Sequence, residues 1–102
     1  MAIVKDFNKK KPVCKVTFVL PAEAINGAKS VALVGQFNDW DMAAQPLKKQ
    51  KDGSFAAKVE LPIGQEYQYR FVLDGTTWEN DWAADKYVTS DVPGVENSVV
   101  VL

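Results

Sequence analysis

The sequence predicts an all-β fold, an immunoglobulin-like sandwich of about seven short antiparallel strands. Three observations carry that expectation. Apolar residues recur with a period of two along most of the chain, turn signals containing glycine or proline separate the runs at hairpin spacing, and no segment sustains a helical period beyond about one turn.

Taken in order, "VCKVTFVL" alternates Cys14, Val16, Phe18 and Leu20 with Lys15, Thr17 and Val19, so one face of a strand is apolar. "PAEAINGAK" at 21–29 leans toward helix, but Pro21 and Gly27 confine it to a turn. "SVALVG" at 30–35 is apolar on both faces, the pattern of a central strand. "SFAAKVEL" places Phe55, Ala57, Val59 and Leu61 on one face. "EYQYRFVLD" places Tyr67, Tyr69, Phe71 and Leu73 on one face and Glu66, Gln68, Arg70 and Val72 on the other, and "NSVVVL" closes the chain in the same manner. Asp52-Gly53, Pro62-Ile63-Gly64 and Asp74-Gly75 read as tight turns, so residues 45–79 are expected to run as an antiparallel meander. Residues 1–11 are expected to form a flexible arm, leaving 12–102 as a single domain.

With 102 residues, 47% of them hydrophobic and 25% charged, the chain has the composition of one soluble globular domain with its own core. Its 12 basic and 13 acidic residues leave a net charge of -1, which disfavours nucleic acid as a partner, because phosphate backbones attract net basic surfaces. The clusters Lys9, Lys10, Lys11 and Lys48, Lys49, Lys51 read as solvated surface. Cys14 is the sole cysteine, so neither an intrachain disulfide nor a cysteine zinc site is available, and it is expected in the core. The N-terminus has no signal-type apolar region and no run approaches about 18 apolar residues, so a cytoplasmic location and no membrane partner are expected.

The chain contains no histidine, which removes the commonest general base and the nucleophile pairings that need imidazole. Asp39, Asp41, Asp81 and Asp85 are the candidates for a two-carboxylate glycosidase, but such a pair must flank a cleft roughly 5 to 9.5 Å wide, which a sandwich of this size rarely owns. A non-catalytic protein is expected. "FNDWD" and "ENDWAAD" lack the ligand alternation of a calcium loop, and no glycine-rich phosphate cradle precedes a helix, so no metal or cofactor is expected.

The segment "GQFNDWD" at 35–41 sets the largest apolar side chain, Trp40, between carboxylates. Trp40, Trp78 and Trp82 all fall in or beside loops, outside the alternating core faces, where a tryptophan is either a lid over the core or a platform for a ligand. Turn length decides for Trp78. A three-residue turn at Asp74–Thr76 pairs Leu73 with Thr77 and Val72 with Trp78 and puts Trp78 on the outward face with Arg70; a two-residue turn sends it inward. A face with tryptophan, arginine and asparagine suits a sugar, whose C–H patches lie flat on aromatic rings while its hydroxyls exchange hydrogen bonds with polar side chains.

"VALVGQFNDWD", "PLKKQKDGSFAAKVELPIGQEYQYRFVLDG", "WENDWAADKYV" and "ENSVVVL", in that order over about residues 30–102, resemble the family 48 carbohydrate-binding module. This is the early-set domain of isoamylases, glycogen branching enzymes and the AMP-activated protein kinase β subunit. The resemblance implies an early-set β-sandwich with affinity for α-1,4-linked glucans such as glycogen or starch. Carried over by position, its carbohydrate-binding residues are Trp40, Arg70, Trp78 and Asn97. The chain departs from the kinase-type pattern in two places: Val95 and Pro93 stand where a threonine and a leucine precede the asparagine, and "DGTTW" is one residue longer than "DGxW". Trp82 lies outside the kinase-type contact set and is expected to pack against Tyr87. The chain also resembles free-standing bacterial proteins of this kind. A docking or regulatory module for a glucan-metabolising enzyme is the alternative that the family implies.

Overall fold

Two antiparallel sheets face each other in the computed structural model, which describes residues 3–25, 27–41, 45–81, 84–90 and 95–102. Among the described residues there are nine strands: β1 (Ile3–Phe7), β2 (Val13–Leu20), β3 (Val31–Gly35), β4 (Lys48–Lys49), β5 (Phe55–Pro62), β6 (Glu66–Leu73), β7 (Thr77–Glu79), β8 (Lys86–Thr89) and β9 (Glu96–Val101). One sheet runs β1-β2-β5-β4. The other runs β3-β6-β9-β8, with β7 paired on β6. The helical leaning after Pro21 amounts to a single 3-10 turn, Ala22–Ala24.

The period-two pattern sorts the core as the sequence suggests. Cys14, Val16, Phe18 and Leu20 from one sheet meet Tyr67, Tyr69, Phe71 and Leu73 from the other, all buried. Their aromatic rings interlock: Phe18 meets Tyr69 edge-on at 4.8 Å between centroids, and Tyr69 meets Phe71 at 6.1 Å. The single thiol, Cys14, is fully buried, and burial pushes its pKa up.

Three expectations change. The meander over 45–79 divides, because β4 and β5 pair in one sheet while β6 and β7 pair in the other. Pro62-Ile63-Gly64 is therefore a crossing between sheets and not a hairpin turn. Its amides are satisfied at a distance, Ile63 N–H by the Pro12 carbonyl and Gly64 N–H by the Leu102 carbonyl. Crossing is what lets both β5 and β6 turn their apolar faces toward a common interior. Secondly, β3 ends its sheet instead of lying at the centre, and its free edge is covered by residues 45–47, with Leu33 N–H bonded to the Gln45 carbonyl and Leu47 N–H to the Val31 carbonyl. Thirdly, Ile3–Phe7, placed in the N-terminal arm by sequence, pairs over its whole length with β2, from Ile3 opposite Phe18 to Phe7 opposite Cys14. Ile3 packs on the core, and Lys5 Nζ reaches Asp85 Oδ2 at 2.7 Å, tying this strand to the facing sheet.

Gly35 ends β3 in an extended conformation, and its need for glycine is one of space. A Cβ there would sit 2.6 Å from the Gln68 carbonyl oxygen and 2.9 Å from Tyr69 Cβ, both on the neighbouring strand. Gly35→Ala is expected to destabilise the fold by about 1–3 kcal/mol through overpacking. Urea unfolding checks this: the midpoint falls while the m-value holds.

Candidate functional site

The outward face of the β3-β6-β9-β8 sheet begins from strand parity. Since Tyr67, Tyr69 and Phe71 point inward, Gln68 and Arg70 point out, and across the ladder Val34 lies opposite Arg70, Val99 opposite Gln68 and Val72 opposite Trp78. Val34, Val72 and Val99 are buried although they belong to the outward face and stand apart from the core cluster between the sheets. Each is the direct partner of a larger outward side chain. The three valines form an apolar floor on which those side chains lie.

Trp78 reaches this face because Asp74, Gly75 and Thr76 form a three-residue turn, giving the register Leu73 opposite Thr77 and Val72 opposite Trp78. Asp74 (φ 51°) and Gly75 (φ 73°) both adopt the left-handed conformation. Asp74 Oδ1 accepts the backbone N–H groups of Lys29 (2.9 Å) and Ser30 (3.0 Å), which anchors the turn to the chain entering β3. Trp78 is 39% exposed, and the Arg70 guanidinium carbon lies 5.5 Å from its ring centroid.

Trp40 is delivered by the loop "GQFNDWD". Phe37, and not Trp40, is the plug: its ring stacks on Phe18 at 5.9 Å and meets Tyr67 edge-on at 6.2 Å. Asn38 braces the loop from within, accepting the Gly35 N–H on Oδ1 (3.0 Å) and donating Nδ2–H to the Leu33 carbonyl (2.9 Å). The chain then turns through two consecutive left-handed residues, Asp39 (φ 54°) and Trp40 (φ 58°), closed by a 2.9 Å bond from Trp40 N–H to the Gly35 carbonyl. A bulky residue with positive φ is strained unless its surroundings over-determine it, and such residues cluster at ligand sites. Asp39 belongs to the small class of residues that accept this conformation readily.

These routes bring Trp40, Arg70, Trp78 and Asn97 together around one open depression of about 480 Å³, with Gln36, Gln68, Thr89, Ser90 and Val95 completing its lining. Asn97 is buried at its base, with Nδ2–H donating to Gln68 Oε1 (3.0 Å), while Gln36 Oε1 accepts the Gln68 backbone N–H (2.9 Å). Arg70 Nη2 makes a long 3.5 Å bond to the Trp78 carbonyl, and burial holds its guanidinium pKa below the usual range, opposed by Glu79. A second depression of about 390 Å³ opens on the other sheet between Thr17, Pro46, Lys48, Ala56 and Lys58, and no aromatic ring lines it.

Two of the four carboxylates weighed for catalysis, Asp81 and Asp85, are engaged within the fold. Asp81 is buried, with Oδ2 accepting the Tyr69 hydroxyl (2.7 Å) and its backbone N–H donating to Ser98 Oγ (2.8 Å). Burial, and then the Asp81 carboxylate, push the Tyr69 hydroxyl pKa far up, so it remains a donor. Asp85 Oδ2 takes the Lys5 ammonium and the Val101 N–H, each at 2.7 Å. Among the described residues no cluster of three carboxylate or thiol side chains is arranged to hold a metal ion. Trp82, expected to pack on Tyr87, and Pro93 lie outside the described residues.

With this geometry in place, comparison with known proteins decides the family. Residues 23–102 match the family described as the glycogen recognition site of AMP-activated protein kinase. The chain belongs to that family. Over 75 residues, 74% of this chain, it is 36% identical to the 5′-AMP-activated protein kinase subunit beta-2 of Homo sapiens and of Mus musculus. It is 31% identical over 85 residues, 80% of this chain, to the cruciform DNA-recognizing protein 1 of Saccharomyces cerevisiae. The match spans only 26% of the kinase subunits and 17% of the yeast protein.

In this member of the glycogen-recognition family, sequence reasoning missed Gln36, Gln68, Thr89 and Ser90. Gln68 was within reach, since it shares strand parity with Arg70 two residues away. Gln36 and the β8 residues carry no local signal, because their place depends on how the loop and edge strand dock.

The Asp74 tether makes a pH test of the turn that presents Trp78. The backbone N–H groups of Ser30 and then Lys29 hold this carboxyl below its ordinary value of 3.8. Its contribution to stability is therefore complete above that value and lost as pH falls through the folded-state pKa. Asp74→Asn is expected to lower the melting temperature at pH 7, and the gap from wild type should close progressively as pH falls below the ordinary value of 3.8. Thermal melts across that range, followed by tryptophan fluorescence, read it out.

Proposed function

We propose that this chain is a non-catalytic carbohydrate-binding module that recognises α-1,4-linked glucan of the glycogen or starch kind. The observation that carries the reading is the meeting of two tryptophans, one arginine and an amide-lined base in one open depression, in a chain of the glycogen-recognition family. Trp40 and Trp78 serve as the stacking platforms for sugar rings, and Arg70 and Asn97 as the hydrogen-bonding groups, with Gln68 holding the Asn97 amide in place. The valine floor and the braced Trp40 loop keep these groups set before a ligand arrives, which lowers the ordering cost of binding.

If each tryptophan covers about 100 Å² of apolar sugar surface, area bookkeeping gives about 2.5 kcal/mol apiece. After ordering costs, a dissociation constant of tens of micromolar to millimolar follows, about -4 to -6 kcal/mol. Binding of this strength suits a module that holds on to a repeating polymer through many equivalent sites.

A second reading, a docking module for a glucan-metabolising enzyme with little sugar affinity, draws on the edge strand of the opposite sheet. There Val4 and Phe7 are 53% and 51% exposed. Native electrophoresis in glycogen-containing gels separates the two. The wild type is expected to be retarded, and the Trp40→Ala, Trp78→Ala double variant to migrate as in glycogen-free gels. Unretarded wild type would favour the docking reading, and equal retardation of the double variant would count against Trp40 and Trp78 as the sugar platforms.

A further inference from the structure

Arg70 is the one charged side chain among the described residues lining the depression. The ion pairs formed among the described residues, Lys5 with Asp85 and Lys86 with Glu66, do not include it. Its Nε is buried and has no hydrogen-bond partner, and its Nη2 has only the long bond to the Trp78 carbonyl. Glu79 acts on its charge through space without forming an ion pair with it. A guanidinium partly withdrawn from water, with no ion-pair partner among the described residues and with a donor unsatisfied, is unusual, because arginine at such positions is ordinarily paired. Its planar fork fits an oxyanion through two parallel charge-assisted bonds, a match that an ammonium or a neutral amide does not offer.

We propose that the depression prefers glucans bearing phosphate monoesters, with the Arg70 guanidinium as the fork that takes the phosphate. The proposal rests on the glucan reading above and adds a substituent to it. Trp40 and Trp78 hold the sugar rings, and a phosphate on a ring hydroxyl comes to Arg70 beside Trp78. A small rotation of the guanidinium exchanges the 3.5 Å carbonyl bond for two short bonds to phosphate oxygens and brings Nε into use. Among the described lining residues there is no carboxylate to repel the anion, and the amides of Gln36, Gln68 and Asn97 with the Thr89 hydroxyl supply a neutral polar surround. A neutral glucan leaves the arginine with no paired oxyanion, its charge met only through space by Glu79.

The test compares phosphorylated amylopectin with the same polymer after phosphatase treatment, by affinity electrophoresis or titration calorimetry on the full chain. The phosphorylated polymer is expected to bind about tenfold tighter at low salt, about 1.4 kcal/mol. The ratio should shrink as ionic strength rises, since the added interaction is between partly exposed charges. Arg70→Gln is expected to bring the ratio to about one whatever its affinity for the neutral polymer, and Arg70→Lys to keep part of it. If Arg70→Gln does not fold, the wild-type ratio and its salt dependence decide alone. Glucose 6-phosphate is expected to compete weakly, and competition equal to that of the phosphorylated polymer would overturn the polymer as the source of the phosphate. Equal affinity for the two polymers overturns the phosphate preference and leaves glucan binding standing. Absence of binding to both overturns the two together.

Discussion

The registration of β6 against its neighbours is the constraint from which the rest of the structure follows. This strand pairs with β3, β7 and β9, and its eight residues serve two purposes on opposite faces. Inward, Tyr67, Tyr69, Phe71 and Leu73 supply most of the core face of their sheet, joined there by Val31, Leu33 and Val100. Outward, Gln68 and Arg70 enter the candidate site, and Val72 supports Trp78. A slip of one residue would exchange the faces, burying an arginine and exposing two tyrosines and a phenylalanine. Core burial therefore enforces the positions of the site residues, at no cost beyond that of folding.

Two devices complete the site from outside the strand. The Asp74–Thr76 turn sets which face Trp78 occupies, and the 35–41 loop sets where Trp40 stands. Both use left-handed residues other than glycine, Asp74 in one case and Asp39 with Trp40 in the other. Both offset that strain with side chain to backbone hydrogen bonds, from the amides of Lys29 and Ser30 to Asp74 and between Asn38 and the end of β3. The division of labour inside "GQFNDWD" follows: Phe37 fills the core, Asn38 braces the loop, and Trp40 is freed from core duty to stand beside the depression.

Behind the site, a polar chain that is buried at Tyr69, Asp81 and Ser98 and reaches the surface at Asn80 keeps β6 and β9 in step. Tyr69 donates to Asp81, the Asp81 amide donates to Ser98, Ser98 donates to Asn80, and Asn80 donates to the Glu96 carbonyl at the start of β9, next to Asn97. Such a network specifies geometry because each member would be costly to leave unsatisfied. It gives Asp81 a structural occupation in place of the catalytic one for which its residue type made it a candidate. The same economy holds at Asp85, which joins the N-terminal strand to the opposite sheet.

The period-two alternation by itself determined the fold class, the core faces of β2, β5 and β6, and the outward place of Arg70, because alternation is a local property that burial converts directly into orientation. The ordered motifs pointed to the family, and they reduced the face of Trp78 to a question of turn length, which the register of β6 and β7 answered. What only the tertiary structure decided was pairing at a distance. β5 and β6 are adjacent in sequence yet lie in different sheets, β1 joins a sheet where an arm was expected, and β3 ends its sheet although its residues are apolar on both faces. That last pattern has its reason in the valine floor: Val34 is buried beneath Arg70, and Val72 and Val99 are buried on the same outward face. The convergence of Gln36, Thr89 and Asn97 on one depression likewise depends on which strands become neighbours, and no local pattern of residues encodes that choice.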